Sequence, residues 1–268
     1  MRQKQKKILS FLNGRKIGCN IDLKGFYMEQ RDKLFTKEQY IKQLAKYTTR
    51  IEKFNSIIEQ SEKNGDEQIN PDFYGRLFDC RVNSIVTMYS MGEKLESIKS
   101  DYILTIKVLK KCWTPYGYYV QMLWLLSIAI MLDYEDDIIR ELYNMIENNG
   151  VKDHIYDILL NYKFSSHREV SKCVFDDIPY HAILDVTSLA QQDKSLAVQR
   201  LKKYLAKEWY RGHSDCAWYN DHKYGIIHDG YWSFESGALV KVLGLDDSIL
   251  KGQPYYPYDM VHWADGQK

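Results

Sequence analysis

The residues best suited to chemistry lie in one stretch. Two residues separate His213 from Cys216, five separate Cys216 from His222 and His222 from His228, and Asp215, Asp221 and Asp229 are interspersed. Imidazole, thiolate and carboxylate groups bind transition metals and move protons, so a metal-dependent hydrolase is the reaction class such a set could serve. The spacing matches none of the paired Cys or His patterns of zinc sites, whose ligands must converge. A loop in which polar side chains tie the backbone together is the competing reading. His154, His167, His181 and His262 stand alone, and there is no Gly-rich phosphate loop, GxSxG elbow or HExxH. No nucleophile, base and orienting group can be named together, so the expectation is a non-enzyme with no catalytic residue, metal or cofactor.

The next segment begins Gly230-Tyr231-Trp232-Ser233-Phe234-Glu235 and ends Tyr255-Tyr256-Pro257-Tyr258-Asp259. Large aromatics bracketing one short helix predict a packed corner. Trp232, Leu239, Val240 and Leu243 fall near helical spacing, with Gly244 as a left-handed cap. Asp246-Asp247-Ser248 then supplies an N-cap cluster for one further turn. Glu235 inside this corner is expected to be buried and hydrogen-bonded, since an unpaired buried carboxylate is costly. Burial would raise its pKa.

The elements that must position these residues read as helices. Tyr40, Leu44, Tyr47, Ile51, Phe54 and Ile58 form one apolar stripe between about Thr36 and Asn64. Thr36 and Gln39 are spaced as a capping box, and Asn64-Gly65 is the stop signal. Asn70-Pro71 restarts a helix through Phe73, Leu77 and Ile85, and a third stripe runs from Leu95 to Trp113. Tyr116 to Leu132 is apolar on most sides, which predicts the innermost helix. Further stripes follow through Ile138, Leu142 and Ile146, through Val151 to Tyr162, through Pro179 to Ala190, and through Ser195 to Trp209. Short connections favour antiparallel neighbours, so the fold class is all-α: a multi-helix bundle of antiparallel helical pairs with little or no β structure. Periodicity fades over residues 163–177, the softest point between the stripes.

Five cysteines, Cys19, Cys80, Cys112, Cys173 and Cys216, are odd in number and scattered, which favours reduced thiols in the cytoplasm. The apolar patch after the first lysines is too short for a signal-peptide core, and the Tyr118–Leu132 run is too short to span a bilayer. Neither export nor membrane insertion is expected. The basic N-terminal arm could touch nucleic acid, but Lys and Arg without interleaved aromatics on a chain of near-neutral pI are weak evidence, and a solvated tail is the favoured reading.

The formal net charge of +1 conceals an asymmetry: residues 1–60 hold 14 Lys and Arg against 6 Asp and Glu, whereas residues 133–185 hold 5 against 12. The acids gather as Asp133, Glu135, Asp136 and Asp137, and as Asp176 and Asp177, with Asp153 and Asp157 on one helix face between them. Two readings stay open: a solvated surface, or a docking face for a basic partner.

The segment GYWSFESGALVKVLGLDDSILKGQPYYPYDMVHW, together with RDKLFTKEQY, MYSMGEKLESIK, MLWLLSIAIMLD, KDHIYDILL and AKEWY, resembles the PoNi family of immunity proteins. These neutralise PoNe-type DNase toxins delivered between bacteria, as by type VI secretion. The likeness covers about residues 30–263. It leaves the basic extension over 1–29 outside and implies an N-terminal helical segment over 30–163 and a C-terminal segment over 164–268 packed on the first. It also implies function by protein–protein binding to a nuclease toxin, with no direct contact to nucleic acid or membrane. Gly230, Tyr231, Trp232, Glu235, Asp246, Asp247, Tyr256, Pro257 and Asp259 carry over as family-motif residues with a mainly structural role. The toxin contact is expected on the acidic residues 133–185. A helical scaffold for a non-toxin partner and the metal-dependent hydrolase are the alternatives.

Overall fold

The computed structural model describes residues 29–65, 70–164 and 169–264, so the basic extension lies outside it except for Glu29. Among the described residues there are eleven α-helices, two 3-10 turns and no strand, and the fold is all-α. Helix α1 (Lys37–Asn64) has the predicted capping box, with the Thr36 hydroxyl accepting from the Gln39 amide, and Gly65 closes it at φ 71°. Helix α2 (Pro71–Ser90) starts from Asn70, whose side chain accepts from the Asp72 amide. Helix α3 (Leu95–Cys112) packs back against α2, which also packs on α1.

Helix α4 (Tyr119–Met131) is the innermost element, with every residue from Met122 to Met131 buried. It begins three residues later than its apolar pattern, because Thr114–Gly117 forms a turn in which the Thr114 hydroxyl accepts from the Gly117 amide at 3.1 Å. Helices α5 (Asp136–Asn148) and α6 (His154–Phe164) fold back along it. The stripe beginning at Val151 becomes helical only at His154, because Asp153 caps the helix there. Helices α7 (Asp177–Ala190) and α8 (Lys194–Lys207) form an antiparallel pair. The short α9 (Trp209–Gly212), α10 (Phe234–Leu243) and α11 (Tyr258–Val261) complete the chain.

One apolar cluster runs through α2 to α11, and α10 packs directly on α4. That approach depends on Gly237, where a Cβ would lie 2.5 Å from Met131 Sδ and 2.9 Å from Pro257 Cγ. None of the described helices is long and apolar enough to cross a membrane. Cys80, Cys112, Cys173 and Cys216 are free thiols. Gly237→Ala should therefore lose stability despite improving helix propensity by about 1 kcal/mol, since overpacking costs roughly 1–3 kcal/mol. Chemical denaturation should show a net loss, and a gain would contradict the close packing of α10 on α4.

Candidate functional site

The His/Cys/Asp stretch is divided among separate structural tasks. His213 is buried, with Nδ1 bonded to the Trp209 carbonyl at 2.7 Å and Nε2 to the Tyr180 hydroxyl at 3.2 Å. Burial lowers its pKa to about 4, so it is neutral. Burial also pushes the Cys216 thiol up to about 11. His228 is fully enclosed, with Nδ1 2.7 Å from Asp221 Oδ1 and Nε2 3.4 Å from Asp32 Oδ2. Burial alone would lower its pKa, but the two carboxylates outweigh that effect and raise it to about 9. The imidazole is thus a cation with both nitrogens facing acids, and neither is left to act as a base near neutral pH. Asp221 also accepts from the Tyr231 hydroxyl at 2.7 Å, and the same hydroxyl bonds His222 Nδ1 at 2.7 Å. Among the described residues no three His, Cys, Asp or Glu side chains converge as metal ligands.

Beside this knot, the C-terminal motif is bolted to the N-terminal helices. Asp229 accepts from Tyr47 Oη at 2.9 Å, from Thr87 Oγ1 at 2.7 Å and from Gln43 Nε2. Its enclosure raises its pKa to about 6 against the opposing effect of those donors. Gln43 also accepts from the His228 amide and donates to its carbonyl, so this buried polar residue of α1 reads the backbone of the C-terminal loop. Gly230 sits at φ 109°, where a Cβ would lie 2.0 Å from Ser90 Oγ. That serine donates to the Asp229 carbonyl at 2.5 Å and accepts from Trp232 Nε1 at 2.8 Å. Trp232 meets Tyr89 edge to face at 4.8 Å. Asp259 accepts from Tyr89 Oη at 2.5 Å and from Arg31 Nε.

The other motif residues also serve the fold. Glu235 is fully buried, accepting from Trp209 Nε1 at 2.8 Å and Ser233 Oγ at 2.5 Å. Burial raises its pKa to about 7. Asp247 accepts from Tyr256 Oη at 2.6 Å and bonds His262 Nε2, while Asp246 caps the 3-10 turn Ser248–Leu250 through the Ser248 amide. Pro257 is buried against Gly237.

The acidic residues 133–185 separate into two populations. Asp133, Glu135, Asp136, Asp137, Asp176 and Asp177 are exposed. Asp133 pairs with Lys241 at 2.8 Å, Glu135 with Lys99 at 2.6 Å and Asp136 with Lys163 at 3.0 Å. Asp153 and Asp157 do not belong to any surface: both are 0% exposed. Asp153 accepts from Tyr119 Oη and from the amides of Ile155, Tyr156 and Phe175, all within 2.7–2.9 Å. Asp157 accepts from the Ser171 amide at 2.8 Å, and burial raises its pKa to about 6. These donors, which offset the cost of burial, draw both carboxylates inward.

The two exposed blocks lie at opposite ends of α4. Asp133 follows its last turn, whereas Asp176 adjoins Phe175, whose ring packs 5.0 Å from that of Tyr119 at its first. At 1.5 Å per residue the separation is about 20 Å. The aperiodic segment leading into α7 is a strap, residues 169–176, held by Asp153 at the head of α6 and by His154 and Asp157 within it. His154 donates its amide to the Cys173 carbonyl at 3.0 Å, and its ring nitrogens bond the Ser171 carbonyl at 2.6 Å and Thr187 Oγ1 at 2.7 Å.

Two measurements probe the knot and the motif. For His228 the folded pKa of about 9 lies above the ordinary 6.5, so its contribution to stability is complete below about pH 6.5 and is lost as pH rises through 9. Glu235 and Asp229, also raised, act in the same direction at lower pH. An NMR titration of the His228 imidazole should give a midpoint near 9, and one below 6.5 would contradict the paired cation. Trp232→Ala should cost about 3–5 kcal/mol in denaturation. A fully stable variant would show that the corner is not structural.

The fold resembles the crystal structure of protein PA2201 from Pseudomonas aeruginosa, with a TM-score of 0.66 over 90% of this chain and 93% of that one at 18% identity. That level of likeness speaks to the fold alone. No curated protein matches the chain in sequence. Residues 31–144 match the family described as PoNe immunity protein (PoNi), N-terminal, and residues 151–260 match PoNe immunity proteins (PoNi), C-terminal. The two matches abut across the same interface that Asp229, Trp232 and Asp259 hold together. The chain belongs to the PoNi immunity protein family.

Proposed function

We propose that this chain protects the cell that makes it by binding a cognate DNase toxin in the cytoplasm and keeping DNA from the toxin's active site. The observation that carries this reading is the pair of family matches, which together span residues 31–260. The division of labour among polar residues supports it. His213, His228 and Glu235 are buried and occupied by partners within the fold, and acidic side chains are what the chain presents outside around α4 and α5.

A nuclease needs a positively charged groove for the phosphate backbone of its substrate. Exposed carboxylates offer that groove an alternative occupant and steer its approach over distances that shorten with salt. The ion pairs of Asp133, Glu135 and Asp136 do not withdraw them from this role, since exposed pairs of this kind hold together by about 0–1 kcal/mol. Asp137, the nearest neighbour of this group, caps the Ile138 amide and remains exposed.

Purified chain added in equimolar amount should arrest DNA cleavage by the nuclease domain of the toxin encoded beside it. Failure to form a complex or to protect DNA would overturn the reading. Within that complex, D136K/D137K should slow association at least tenfold at low salt, with the difference vanishing near 1 M salt. Unchanged association rates and salt dependence would remove the α4–α5 acids from the contact while leaving the immunity function in place.

A further inference from the structure

The acids steer a partner, but a tight complex also needs desolvated anchors, which are characteristically aromatic and central to the contact. The strap and its two neighbours, the Thr114–Gly117 turn and the start of α7, display such side chains. Tyr116 is 85% exposed, Ile178 69% and Phe175 41%. The Phe175 ring lies between Tyr116 at 5.6 Å on its outer side and Tyr119 at 5.0 Å on its inner side. Exposed apolar side chains gathered in one place and rimmed by polar groups mark an interaction site, and Ile178 joins the Tyr116–Phe175 pair three residues along the chain from Phe175.

The rim here is acidic. Asp176 and Asp177 flank the patch, and Asp215 stands close enough that, after burial, its charge is the next cause of the raised Asp176 pKa. What holds the patch in place is buried beneath it. The amides of Ser171 and Phe175 donate to Asp157 and Asp153, and His154 ties down the carbonyls of Ser171 and Cys173. An irregular segment fixed at so many points loses little conformational freedom when a partner binds.

Resting on the immunity reading above, we propose that Tyr116, Phe175 and Ile178, with Asp176 and Asp177, form the anchor that enters the DNA-binding cleft of the toxin's nuclease domain. The charge of the rim selects that occupant. Arginine and lysine side chains of a phosphate-binding surface lay their apolar stems and cationic heads on aromatic rings and pair with adjacent carboxylates. Another exposed apolar group, Tyr224, Ile226 and Ile227, borders Lys223, and the acids beside it, Asp221 and Asp229, are engaged by His228, Tyr231, Tyr47 and Thr87 within the fold.

The test uses full-length chain and a catalytically inactive form of the nuclease domain encoded beside it, with dissociation followed by surface plasmon resonance. Tyr116→Ala combined with Ile178→Ser should leave the thermal melt unchanged, because both side chains are exposed. The complex should dissociate about a hundredfold faster, with the salt dependence of association preserved. Tyr224→Ala combined with Ile226→Ser should dissociate as the unsubstituted chain does. Equal dissociation for the first pair, or faster dissociation for the second pair alone, would overturn the anchor while leaving the immunity reading standing. No binding by the unsubstituted chain would bring down both.

Discussion

The fold depends on carboxylates withdrawn from water and supplied with donors from distant parts of the chain. Asp229 is the centre of this arrangement. Its acceptance of hydrogen bonds from Tyr47 on α1 and Thr87 on α2 means that neither helix can move away from the C-terminal loop without stranding an enclosed acid. A group left unsatisfied in that way costs the full penalty of its desolvation, about 1–3 kcal/mol or more for a charge. Asp259, whose side chain remains 42% exposed, adds further polar ties to Arg31 and Tyr89. The N-terminal and C-terminal parts of the family are therefore held by directional polar contacts as well as by the apolar packing of α10 on α4.

The same device operates a second time at the opposite flank. Asp153 and Asp157 reach up from α6 to grip a strap that has no regular backbone hydrogen bonding of its own. Asp229 and Asp259 thus tie the N-terminal helices to the C-terminal motif, and the buried Asp153 and Asp157 fix the shape of a segment that exposes the Phe175 side chain. The costs fall inside, where Asp153, Asp157 and Asp247 are supplied with donors, and the surface carries ion pairs and a small group of apolar side chains. That distribution suits a protein whose work is recognition, because rigidity is concentrated where a partner would otherwise have to impose it.

Much of this was legible in the residues alone. The Thr36/Gln39 capping box, the Asn70-Pro71 start and the Gly244 cap are local signals, and local hydrogen bonds and backbone conformations decide them. The innermost position of α4 followed from an apolar surface on all sides. The aromatic corner and its buried Glu235 were equally plain, since such a cluster has few places to go but inward. Asp153 and Asp157 were misplaced on the surface because a count of charges carries no information about which donors will arrive from elsewhere. Asp153 did carry a signal: it stands two and three residues before the amides of Ile155 and Tyr156, the spacing of an N-cap. The strap was visible only as lost periodicity. Its apolar content, Val170, Val174 and Phe175 among acids and lysines, distinguishes it from an ordinary polar loop, but its orientation is set by Asp153 and Asp157 and by Tyr116 of the Thr114–Gly117 turn.

The central claim, that a strap rigid in the free protein is the surface presented to the toxin, is most directly tested by amide hydrogen exchange on the chain with and without the inactive nuclease domain. The account predicts slow exchange at Ser171 and Phe175 in the free chain and added protection over residues 115–117 and 174–178 in the complex, with Ile226 and Ile227 unchanged. Rapid exchange at Ser171 and Phe175 in the free chain, or a footprint confined to residues 222–227, would contradict it.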